Sequence, residues 1–140
     1  MKTIFILFPF LLLLTSCEVQ GDLTRDNEQF VSIPKDIAVL KYSGSFVPTS
    51  GINAAGMAKI YIENSQYKLE LSNFSVTNGP DLKVYLSKSN APTDFVNLGN
   101  LTSSTVYLIP QNVDVSTYKF VLIHCQQYNH LFAIAELTNN

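Results

Sequence analysis

Residues 57–63 read MAKIYIE, residues 67–74 read YKLELSNF and residues 81–87 read DLKVYLS. Ala58, Ile60 and Ile62 alternate with Met57, Lys59, Tyr61 and Glu63. Tyr67, Leu69 and Leu71 alternate with Lys68, Glu70 and Ser72, and Leu82, Val84 and Leu86 with Lys83, Tyr85 and Ser87. A period of two turns one apolar row inward and one polar row outward, which is the pattern of a half-buried strand. Further short apolar runs lie at residues 37–42, 95–98, 105–109, 118–125 and 130–137. Clusters such as Asn64-Ser65, Asn78-Gly79-Pro80, Gly99-Asn100 and Pro110-Gln111-Asn112 separate them and supply turn residues. No long segment carries a helical stripe. The expected fold is all-β, a small antiparallel sandwich or barrel of about eight strands.

Residues 118–125 and 130–137 depart from the alternation. Val121, Leu122 and Ile123 on one, and Phe132, Ala133, Ile134 and Ala135 on the other, leave no polar face. Strands covered on both sides read this way, so the last two strands are expected at the centre of the sheet. Gly44-Ser45-Phe46 and Ser50-Gly51 read as turns at the edge of the first strand, and Gly79-Pro80-Asp81 as a turn feeding the fourth.

The chain has 140 residues, 46% hydrophobic and 14% charged, with a formal net charge of -2. That length fits one domain able to bury a core without disulfide staples. The slight acidity excludes a basic stripe for phosphates, so no nucleic-acid partner is expected. Two Cys and two His exclude a disulfide framework and a zinc finger.

Lys2 precedes an apolar run over residues 4–14, broken only by Pro9. This has the make-up of a secretory signal and is short of the ~20 apolar residues a transmembrane helix needs. Leu14-Thr15-Ser16-Cys17 resembles the bacterial lipobox, a Leu and two small residues before a Cys. That resemblance implies removal of residues 1–16 and acylation of Cys17. The protein is then held to the membrane by its lipid, each buried methylene contributing ~0.8 kcal/mol. The implied location is the bacterial cell envelope, at the periplasmic face or the cell surface. Residues 17–30 are polar after Cys17 and read as a tether, and the β domain is expected over residues 31–140.

With Cys17 acylated, Cys125 is left as a single thiol. It stands in His124-Cys125-Gln126-Gln127-Tyr128-Asn129-His130, where the last two strands meet. If residues 126–129 form a four-residue hairpin loop, Cys125 faces His130 across the ladder and His124 faces Leu131. Opposed residues project to one side with Cβ atoms ~5 Å apart. Cys125 and His130 then share a face, and His124 points to the other. An imidazole beside a thiol can populate the thiolate, which is a nucleophile and electron donor. The plainer reading is a buried cysteine that fills space. A metal site needs three or four ligands, and Met57 is the only other soft donor after Cys17, so none is expected. No Ser stands in a nucleophile elbow, and Asp114 and Glu136 are the acids nearest the histidines, so a stand-alone enzyme is not the expectation. No haem is implied, because Cys-x-x-Cys-His is missing; the cofactor is left unassigned.

An ordered set of residues resembles the electron-transfer DM-thirteen domain. It comprises Gly44-Ser45-Phe46, Gly56 with Ala58 and Ile60, residues 69–74, and Gly79-Pro80-Asp81-Leu82-Lys83-Val84-Tyr85-Leu86-Ser87. Leu98-Gly99, Tyr107, Ile109-Pro110, Tyr118, residues 121–125 and Phe132-Ala133-Ile134-Ala135 complete it. The resemblance covers about residues 41–137. It implies a small β-sandwich-like domain with one characteristic Cys, here Cys125, acting in redox or electron transfer. The family often has Trp before that Cys, where this chain has His124. It often has a His shortly before the Gly matched by Gly56, where residues 50–55 have none; the family's chemistry is then either lost here or relocated, with His130 as the candidate substitute imidazole. The expected function is an envelope-anchored redox accessory module with Cys125 as thiol, His130 as tuner and a redox or envelope protein as partner. The alternative is a non-catalytic binding or adhesion module whose loops at one end contact a glycan or protein and whose Cys125 is structural.

Overall fold

The computed structural model describes residues 31–140. The signal, the lipidation site Cys17 and the tether expected over residues 1–30 lie outside that range. Nine strands follow in order: β1 (Val39–Pro48), β2 (Ala54–Glu63), β3 (Gln66–Val76), β4 (Leu82–Ser87), β5 (Phe95–Asn100), β6 (Val106–Leu108), β7 (Phe120–Cys125), β8 (His130–Glu136) and the two-residue β9 (Thr138–Asn139). One turn of 3-10 helix, Val115–Thr117, is capped by Asp114, whose carboxylate accepts from the Ser116 backbone N–H. Among the described residues no helix is long and apolar enough to cross a membrane.

All pairings are antiparallel, in the order β5-β4-β7-β8-β1-β2-β3-β6, with β9 beside β1. The edge strands β5 and β6 approach one another, so the sheet is nearly closed into a barrel. Closure gives each strand an inside and an outside, and the period-two rows fall accordingly. Ala58 and Ile60, Leu69 and Leu71, and Val84 and Leu86 are buried in one core with Val121, Ile123, Cys125, Ala133 and Ala135. Strands β7 and β8 lie in the middle of the order, as their two apolar faces predict.

The structure corrects the reading of Gly44-Ser45-Phe46 as a turn: all three lie within β1. Up to Ser45 the strand pairs with β2, and from Phe46 onward with β8. At this change of partner the backbone of β8 runs so close that a Cβ on Gly44 would stand 2.0 Å from the Glu136 carbonyl oxygen. Glycine is there to admit a neighbouring strand rather than to make a bend. Ser50 and Gly51 do form a turn, with Gly51 at a φ of +79°.

Because each strand from β2 to β8 reverses the one before it, the loops between them sort into two sets at opposite ends. One end carries the β1–β2, β3–β4, β5–β6 and β7–β8 connections. Thr77 donates its N–H to Asn53, Leu101 to Leu82, and Gln126 to Asp81, which ties these loops together.

Candidate functional site

That end of the barrel is where the chemistry-bearing residues gather. The last two strands pair as their hairpin length requires, with Cys125 opposite His130 and His124 opposite Leu131. Between Ile123 and His124 the register shifts by one residue on β8. This bulge brings Phe132 into the core alongside its neighbour Ala133, where strict alternation would send one of them out. Thr49 holds the bulge in place, its hydroxyl donating to the Leu131 carbonyl at 2.6 Å and its N–H to the Phe132 carbonyl at 2.9 Å.

Cys125 sits on the core side of β7 and is fully buried, with Leu82 as its ladder partner on β4. Its thiol is free. His130, across the ladder, is exposed and meets the Phe132 ring edge-on at 5.1 Å between centroids. The two expected site residues are thus paired along the backbone but differ in environment, the sulfur shut in and the imidazole open to water. The β3–β4 loop closes this end. A Cβ on Gly79 would meet the Leu82 side chain at 2.9 Å and the Phe132 ring at 3.0 Å. The motif residues Gly79, Asp81, Leu82, Cys125 and Phe132 come from three separate segments of the chain and converge here.

His124 takes the opposite face, as the hairpin register predicts. It is only 4% exposed, beside the Tyr85 ring at 5.5 Å, and Tyr85 in turn stacks on Phe95 at 4.1 Å. The His124 Nε2 lies 3.2 Å from Asn129 Oδ1. An amide oxygen accepts, so the ring proton belongs on Nε2 and Nδ1 is a bare acceptor, buried and unpartnered among the described residues. Burial pushes this imidazole below its ordinary pKa. The Asn129 bond opposes that shift and the neighbouring His130 adds to it. The residue next to Cys125 is therefore held as a neutral ring at neutral pH. The His124-Asn129 pairing was not visible in the sequence. The bland polarity of a hairpin loop gives no sign that one of its amides caps a buried ring on the far face.

Asp81, read as a turn acid, pairs with Lys83 at 2.9 Å, and Lys83 Nζ also donates to Asn100 Oδ1. Glu136 is exposed, as a solvated strand residue is. Among the described residues, no three His, Cys, Asp or Glu side chains are grouped to hold a metal ion.

The class of protein defined by these features is a small, nearly closed antiparallel barrel with a single core thiol and two imidazoles at one end. Residues 49–137 match the family model described as Electron transfer DM13, and the chain belongs to that family. No curated protein and no solved structure gives a significant match to it.

Proposed function

We propose that this chain is a lipid-anchored redox module of the bacterial envelope, in which Cys125 exchanges with a disulfide of a partner envelope protein. Membership of an electron-transfer family supports the redox class. The observation that carries the finer reading is the pairing of Cys125 with His130 at the end where the family's motif residues converge. The lipobox-like Leu14-Thr15-Ser16-Cys17 after an apolar run supports the anchor. In the proposed step the Cys125 thiol gives its proton to the His130 imidazole, and the thiolate attacks the partner disulfide. A mixed disulfide forms as the partner's S–S bond breaks, and the departing partner sulfur takes up the proton. Cys125 is oxidised and the leaving sulfur is reduced. Because the sulfur is closed off, exchange needs local opening of the hairpin and the Gly79 loop.

The test is thiol labelling of the full chain in mild detergent at neutral pH, with Cys125→Ser as the blank for Cys17. The expected result is labelling of Cys125 at a rate insensitive to low urea and slower in His130→Ala. Labelling strictly proportional to the unfolded fraction would sink the reading. A second reading rests on the complete burial of Cys125, which suits a structural cysteine in a binding or adhesion module. On that reading Cys125→Ser lowers stability by about 1–3 kcal/mol, by placing a hydroxyl in an apolar core, and leaves partner binding intact.

A further inference from the structure

Beside the closed thiol, on the same end of the barrel, a cleft of about 490 Å³ opens between the β3–β4 loop and the end of β5. Its volume lies in the range of small-molecule sites. Asn78 and Asp81 stand on one wall and Asn100 and Thr102 on the other, with Val76, Pro80, Leu82 and Leu101 as the apolar lining.

Lys83 joins the two walls. Its Nζ contacts Asp81 Oδ1 at 2.9 Å and donates to Asn100 Oδ1. Backbone bonds from Leu101 to Leu82 (2.8 Å) and from Gln126 to Asp81 (3.0 Å) brace the same walls from behind. The bridge has two chemical consequences. It cancels the Asp81 charge, so the cleft offers little to a charged ligand. It also engages one oxygen of each partner, leaving Asp81 Oδ2 as an acceptor on one wall and the Asn100 amide NH₂ as a donor on the other. Thr102 Oγ1 accepts from the Ser104 N–H at 3.1 Å, so its own proton is free to donate. The Asn78 amide has no partner among the described residues and supplies one more donor and acceptor.

An acceptor on one wall and a donor on the other, both held by Lys83, match two hydroxyl groups of one ligand, each of which both gives and takes a hydrogen bond. The apolar lining suits the C–H face of a ring carrying those hydroxyls. We propose that this cleft binds a neutral sugar unit. The site goes beyond the redox reading and does not depend on the Cys125 sulfur.

The experiment is saturation-transfer NMR on the full chain in a sugar-free zwitterionic detergent. The probes are the methyl glycosides of glucose, galactose, mannose and N-acetylglucosamine, with inorganic phosphate as competitor. The expected result is transfer to at least one glycoside, undisturbed by phosphate. Binding falls about tenfold in Asn100→Ala, the worth of roughly one well-made hydrogen bond. It also weakens in Asn78→Ala, an exposed change that breaks no internal bond and so keeps the fold. Cys125→Ser binds as the parent does, whatever the thiol labelling reports, which separates the two readings. Absence of transfer to all four glycosides, equal transfer in both alanine variants, or displacement by phosphate each overturns the proposal.

Discussion

His124 stands where burial, tautomer and charge meet in one side chain. It is the immediate neighbour of the core thiol yet faces away from it, against Tyr85, with Lys83 as its ladder partner and His130 near by. Its ladder partner Lys83 is a cation and His130 adds to the downward shift, so neither gives a proton arriving on the buried ring a counter-charge. Its folded pKa is lowered from the ordinary value near 6.5. Above that value both folded and unfolded chains carry the neutral ring, and the stability it supports is fully present. As pH falls from that value toward the lower folded pKa, the unfolded chain takes up a proton that the native state resists, and stability declines. Urea midpoints measured between about pH 7 and 5 are expected to fall with acid. His124→Phe is expected to shrink that slope; an unchanged slope would show that the ring titrates freely.

At the scale of the element, β1 shows how one strand serves two halves of the barrel. Its alternation is interrupted at Gly44-Ser45-Phe46, which by local rules looks like a turn. The interruption is instead the place where β1 leaves β2 and takes up β8. Gly44→Ala sets a Cβ against the Glu136 backbone, which has no side-chain freedom to yield. The expected cost is about 3 kcal/mol, near the upper range of overpacking effects, read as a lower urea midpoint with an unchanged slope. A loss below about 0.5 kcal/mol would mean that β8 shifts easily and that the close approach is incidental. Strand β8 makes the complementary adjustment through its bulge. The extra residue lets Phe132 and Ala133 both face the core, while His130 keeps its place opposite Cys125.

For the whole molecule, the point of interest is the gap in closure. Strands β5 and β6 end the order, and no ladder joins them. The Tyr107 hydroxyl spans the junction, donating to the Asn100 carbonyl at 3.2 Å and accepting from the Thr102 N–H at 3.4 Å. Tyr107→Phe is expected to cost about 1 kcal/mol, and to speed hydrogen exchange at the amides of β5 and β6 more than in β7 and β8. Exchange raised equally in all strands would mean that the tyrosine supports the core as a whole rather than the junction.

How much of this was legible in the chain depended on the range of the interaction. The period-two rows of β2, β3 and β4 were readable because each side chain's inward or outward face follows from its neighbours two residues away. The pairing of Cys125 with His130 was readable for the same reason, since four loop residues set the register of a hairpin. The family resemblance was readable from the same ordered residues, and residues 49–137 match that family. What the amino-acid order determined by itself was therefore the all-β class, the central place of the last two strands and the partner across the final ladder. Only the tertiary structure decided that the Cys125 sulfur is sealed, that Gly44 admits a strand, and that Lys83 joins two loops into a cleft. Each of those depends on backbone brought close by barrel closure, between residues too far apart in the chain for any local pattern to register.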